Sequence, residues 1–161
     1  MLRTRSFVLS LAIAGAILAT SSVRMHGAAI AAAATAGYQM TYLGELRTIE
    51  FTAQRDTANN SRGQGHLFNH NSGTKVHFTI DCLSVSGNVA TISGQITHTD
   101  NAAVPETTPL WVRVVDNGEG KKSPRDLVAP LVAFPGGFGV PCTTTVLDAN
   151  IPIEGGNIQV R

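Results

Sequence analysis

Four groups of side chains in this chain have types and spacings that could do chemistry. In the first, Asp116-Asn117-Gly118-Glu119-Gly120 with Asp126 downstream concentrates carboxylate and carbonyl oxygens on a glycine-rich stretch. Ca²⁺ takes six to eight hard oxygen ligands, so Asp116, Glu119 and Asp126 are the candidate calcium ligands. Their spacing departs from the D-x-[DN]-x-[DN]-G loop, and the competing reading is a tight turn in which Asn and Gly take positive φ. In the second, His66 and His70 share one parity along a strand and His77 can lie on the neighbouring strand. Imidazoles so placed suit a transition ion, although no zinc motif is matched and exposed polar histidines are the ordinary alternative. The third is His77, Asp81 and His98, the polar part of a secreted hydrolase site; no G-x-S-x-G elbow or comparable nucleophile context accompanies it. The fourth is Cys82 and Cys142, the only cysteines. Neither lies in a C-x-x-C pair or beside a histidine, so a disulfide is expected rather than a reactive thiol. A bridge closing so long a loop is worth on the order of 4 kcal/mol in the chain-entropy picture.

A disulfide presumes an oxidising compartment, and the opening residues point to one. Arg3 and Arg5 precede the uncharged run Phe7 to Ala19, a basic n-region before an apolar h-region. That run is too short to cross a hydrocarbon core of about 30 Å, and Ser21, Ser22, Arg24 and His26 interrupt it before the alanine-rich stretch from Ala28. The expectation is a signal peptide over residues 1–36, cut after Ala34-Thr35-Ala36 or earlier near Ser21, with no transmembrane segment in the mature chain. The product, residues 37–161, is expected to be secreted, extracellular or periplasmic. Removing the leader takes Arg3, Arg5 and Arg24 and no acid, which turns a net charge of +1 into −2. Without a basic block the chain lacks the footprint that phosphate backbones require, so nucleic acid is not an expected partner.

The elements that must position these groups read as strands. At 161 residues the chain has room for one domain, and 14% charged residues exclude a polyelectrolyte or a coiled coil. After residue 36, period-two alternation recurs and helical spacing is not sustained. Val76, Phe78, Ile80 and Cys82 share one face, Leu83 and Val85 take the opposite parity, and a bulge near Cys82 is expected. Ser86-Gly87-Asn88 turns the chain into the alternation Ala90, Ile92, Gly94, Ile96, the clearest hairpin. Further strands are expected at 47–55, 63–69, 110–116, 126–134, 143–147 and 157–161. With no crossover helices, the fold class is all-β, an antiparallel sandwich or flattened barrel. Pro130 and Pro141 are expected at edges or bulges. Trp111, Phe51, Phe68, Phe78 and Phe134 are expected to fill the core, with Tyr38 and Tyr42 near an exposed N-terminal arm.

The order Phe51-x-Ala53, Gly65-x-Leu67 to His70, Val76-His77, Ser84-Val85-Ser86-Gly87-Asn88-x-Ala90-x-Ile92-x-Gly94, Val114-Val115-Asp116-Asn117-Gly118-Glu119, Asp126 and Gly156-Asn157-Ile158-Gln159-Val160 resembles the post-COAP-type domain of secreted bacterial proteins. The resemblance implies an all-β extracellular domain that accompanies other surface modules and has no established catalytic activity. Pro130 and the insertion from Pro135 to Cys142 depart from that pattern. Together these readings make the chain an exported binding or structural module for an extracellular ligand or surface protein. The alternatives are a hydrolase using His77, Asp81 and His98, and a Ca²⁺-stabilised adhesion module using Asp116, Glu119 and Asp126.

Overall fold

Alternating apolar residues build one curled antiparallel sheet. The computed structural model describes residues 29–161 apart from Lys121. Its strands are β1 (Ile30–Tyr42), β2 (Glu45–Asp56), β3 (Ser61–Asn69), β4 (Lys75–Ser86), β5 (Val89–Thr99), β6 (Pro109–Val115), β7 (Leu127–Val128), β8 (Val132–Ala133), β9 (Ile151–Pro152) and β10 (Gly155–Val160). Neighbours run β10-β1-β2-β3-β4-β5-β6-β7-β9, with β8 pairing β6. The expected all-β class holds; the form is a half-barrel rolled from a single sheet rather than two sheets stacked face to face. Among the described residues no helix is long and apolar enough to cross a membrane.

The inner face carries the core. Ala34, Ile49, Phe78, Ile80, Ile92, Ile96, Leu110, Val112, Val114 and Ile158 are almost wholly buried there. Burial of this kind stabilises by about 25 cal/mol per Å² of apolar surface removed from water. Two glycines let strands approach where a side chain would not fit. A Cβ on Gly65 would lie 2.4 Å from the Phe78 ring, and one on Gly94 would lie 1.9 Å from the Thr79 carbonyl oxygen.

Strand β1 begins at Ile30, so residues 30–36, expected to belong to the leader, are part of the folded sheet. Ala34 pairs with Ala53 and Val160, and Ala36 with Phe51 and Ile158. Ala32 and Ala34 are 4% and 0% exposed. A cut after Ala36 would therefore remove core residues from the middle of a strand. The expected leader cleavage near Ser21 falls, like the n- and h-regions, outside the described residues. Tyr38 belongs to the core at 1% exposure rather than to an exposed arm, and only Tyr42 is half-buried.

Other differences have local causes. The strand expected over 126–134 is broken into β7 and β8, because buried Pro130 cannot donate to a ladder. The segment 143–147 forms turns instead of a strand. The expected bulge is present: Ile80 pairs with Gly94 and Cys82 with Ser93, leaving Asp81 as the extra residue. That flip turns Cys82 to the outer face, not the inner face it shared by parity with Ile80.

Candidate functional site

The outer face of the sheet is divided in two by the chain that covers it. Over β4 to β6, the row Cys82, Ser93, Trp111 lies under the segment after β8. The Cys82–Cys142 disulfide, with Cα atoms 5.7 Å apart, pins that segment down. Trp111 Nε1 donates to the Thr144 carbonyl at 3.0 Å, and Arg113 Nη1 to Thr145 Oγ1 at 2.7 Å. Trp111 is 0% exposed but sits in this second cluster rather than in the inner core. A disulfide tied to a segment without regular strand structure thus does the work that hydrogen-bond ladders do elsewhere.

The rest of the outer face, over β1 to β5, is open. It holds a cleft of about 510 Å³ lined by Glu50, Thr52, Gln64, His66, His77 and Thr79 among others. Every one of these side chains has hydrogen-bonding capacity, and neighbouring shallow grooves continue along Thr35, Gly37, Gln39 and Thr48. Across this face the register sets a row of like residues. Glu50 pairs with His66, His66 with His77, and His77 with His98. Ring centroids are 6.0 Å apart between His66 and His77 and 6.1 Å between His77 and His98. A carboxylate flanks each end: Glu50 Oε2 lies 3.8 Å from His66 Nε2, and Glu106 Oε1 lies 3.1 Å from His98 Nδ1.

This row redraws two of the expected groups. His66 and His77 are neighbours as expected, but His98 completes the row, whereas His70 bonds Thr48 Oγ1 through Nε2 and packs edge-on against Phe68. Counting rungs back from the Ser86–Val89 pair places His98 opposite His77, a signal that parity alone leaves unused. Two bulges, at Asp81 on β4 and Thr97 on β5, offset one another and restore that register. Of the hydrolase group, His77 and His98 meet, while Asp81 lies four residues along β4, about 13 Å at strand rise. As the rings stand, no three histidine, cysteine or acidic side chains among the described residues converge on one point.

Asp116, Glu119 and Asp126 gather at the seam where the half-barrel's two ends approach. The inner side of β10 bonds to β1; its other edge would leave the Ile158 and Val160 amides without a strand partner. Asp126 Oδ2 accepts Ile158 N–H at 3.0 Å and Asp116 Oδ2 accepts Val160 N–H at 2.9 Å. The remaining oxygens hold the loop: Asp126 Oδ1 accepts Asn117 N–H and Asp116 Oδ1 accepts Gly118 N–H, each at 2.8 Å. Glu119 Oε1 accepts from the side-chain amides of Gln159 and Asn157 at 2.8 and 3.3 Å. Gly118 has φ of 83°, as expected of that glycine, whereas Asn117 does not take the positive φ expected of it. The candidate calcium ligands are thus engaged by N–H donors of the chain itself. The link Ile153–Glu154 completes the seam, Ile153 donating to the Asp126 carbonyl and Glu154 to that of Gln39.

Among the described residues two buried side-chain atoms, Tyr38 Oη and Arg47 Nε, are left without a hydrogen-bond partner. The Tyr38 hydroxyl is the more deeply placed of the two, and burial pushes its phenol well above the ordinary tyrosine value. Compared with protein-family models, with curated proteins and with solved structures, the chain matches none.

Proposed function

We propose that the chain is an exported module that binds a polar ligand or a surface partner through the open outer face of β1 to β5. The observation that carries this reading is the cleft of about 510 Å³, where threonine, glutamine, glutamate and histidine line the wall together with Ala36, Phe51, Gly65 and Phe78. On a half-barrel whose inner face is filled with apolar side chains, such a face is where a hydrogen-bonding ligand finds both shape and donors. Export is supported by the Cys82–Cys142 bridge, by the basic-then-apolar opening residues, and by the resemblance to post-COAP-type domains. Because β1 needs Ala32 and Ala34, the leader is cut between Ser21 and Ile30 in this reading.

The test is a paired substitution, Gln64→Arg with Thr79→Arg, on cross-strand partners whose side chains are exposed in the cleft. Parent and variant are compared for binding to extracellular polysaccharides and to intact surfaces of the producing cell. The expected result is binding by the parent and at least about tenfold weaker binding by the variant, equivalent to about 1.4 kcal/mol. Binding that survives both substitutions, or a parent that binds none of these surfaces, contradicts the proposal.

A further inference from the structure

The row His66, His77, His98 gives the open face a chemistry of its own, and we propose that it binds one late divalent transition ion, Cu²⁺ most tightly, with His77 as the obligatory ligand. The inference names an ion for the face read above as a ligand surface, but it stands on the three rings and is tested without any ligand.

Geometry comes first. Imidazole nitrogens bind such ions at about 2.0–2.1 Å, so two rings on one ion have centroids about 4.5–6.5 Å apart, depending on the angle at the metal. The observed separations of 6.0 and 6.1 Å fall inside that range, with both ring pairs tilted at 37°. Small side-chain rotations therefore suffice, and the backbone that carries the rings is already fixed by ladders on both sides of β4. His66 and His98 are separated by two strand spacings, about 9.5 Å, which is too far to share an ion without the ring between them. His77 alone belongs to both pairs, and one chain therefore holds one ion, on either His66–His77 or His77–His98.

The surroundings complete the site. Glu106 Oε1 at 3.1 Å from His98 Nδ1 fixes that ring and leaves Nε2 as the ligating atom, the carboxylate–histidine pairing that tunes metal-bound imidazoles. Glu50 beside His66 supplies an oxygen at the other end of the row. Water fills the remaining positions, because His77 is exposed and the cleft is open. A site of two imidazoles with water and carboxylate oxygens follows the order in which Cu²⁺ exceeds Ni²⁺ and Zn²⁺.

The experiment is a titration of untagged protein with Cu²⁺, followed calorimetrically and by electron paramagnetic resonance. One Cu²⁺ per chain is expected, with nitrogen hyperfine structure from two imidazoles. In His77→Ala the affinity should fall by at least about tenfold and the two-nitrogen signature should vanish. His70→Ala removes the histidine outside the row and should leave both readouts unchanged. Each substituted side chain is exposed, and melting curves of the variants check that they fold. Unchanged binding in His77→Ala, or a parent that takes up no Cu²⁺ at micromolar concentration, overturns the proposal. Loss of polysaccharide binding with Cu²⁺ uptake intact would count against the ligand surface and not against the ion site.

Discussion

Asp126 Oδ2 accepts the main-chain N–H of Ile158 at 3.0 Å, so a carboxylate stands where the next strand of a closed barrel would. Asp116 does the same for Val160 one rung on. An exposed strand edge invites pairing with other chains, and here two side chains satisfy it from within.

Removing Asp126 leaves the buried Ile158 amide and the Asn117 amide without acceptors. Each unsatisfied buried donor costs about 1–3 kcal/mol, so Asp126→Ala should lower stability in urea by about 2–3 kcal/mol. Asp116 is less buried and Asp116→Ala should cost about half as much. A loss under about 0.5 kcal/mol for Asp126→Ala contradicts the seam described here.

The same geometry predicts the response to calcium. With N–H donors already on both oxygens of Asp116 and Asp126, the seam is complete without an ion. The melting temperature should therefore be unaffected by millimolar Ca²⁺. A rise that disappears in Asp116→Ala would instead make Asp116, Glu119 and Asp126 ligands and move the adhesion reading to the front.

The strap over Trp111 gives a clean optical prediction, because this is the chain's single tryptophan. Reduction frees Cys142, the segment lifts, and Trp111 meets water. Its emission should shift to longer wavelength and become open to acrylamide quenching while the sheet's circular dichroism persists. The accompanying loss of stability should be on the order of 4 kcal/mol. Emission that stays put after complete reduction would show that the strap holds without its bridge.

Tyr38 predicts both a mutational and a pH effect. Its hydroxyl is buried without a partner, so Tyr38→Phe should be neutral or stabilising by about 1 kcal/mol at pH 7. The folded phenol is held neutral by burial, whereas in the unfolded chain it ionises near 10. Its contribution is thus whole below that pH and declines as pH rises above it, since the unfolded state alone releases the proton. The stability gap between Tyr38→Phe and parent should widen from pH 9 to 11. A variant that loses more than about 1 kcal/mol at pH 7 would mean the hydroxyl has a partner.

How far these features could be read from the sequence depends on the range of the contacts involved. The β4–β5 hairpin and its bulge were legible because alternation and the Ser86-Gly87-Asn88 turn are local signals. Strand β1 was hidden because its inner residues at 32, 34 and 36 are alanines, small enough to read as the end of a leader. Its hairpin turn added no warning: Leu43 and Gly44 both have positive φ, and leucine is not a residue that turn rules expect there. The roles of Asp116 and Asp126 depend on partners 44 and 32 residues away, so their sequence showed only a polar turn. His98 was a candidate beside His77 and Asp81 from its residue type, but its place opposite His77 in the row is legible only by carrying the hairpin register through. The covered Trp111 was not, since its lid has no periodicity and owes its position to a covalent bond.

Export of this disulfide-pinned chain, as proposed above, is open to direct test. Cells producing it are fractionated into cytosol, envelope and medium with free thiols alkylated at once, and the protein in each fraction is analysed by mass spectrometry. The expected result is recovery outside the cytosol, an N-terminus after Ser21 and no later than Ile30, and a linked peptide pair containing Cys82 and Cys142. Protein found only in the cytosol, still beginning at Met1 and with both cysteines alkylated, would contradict it.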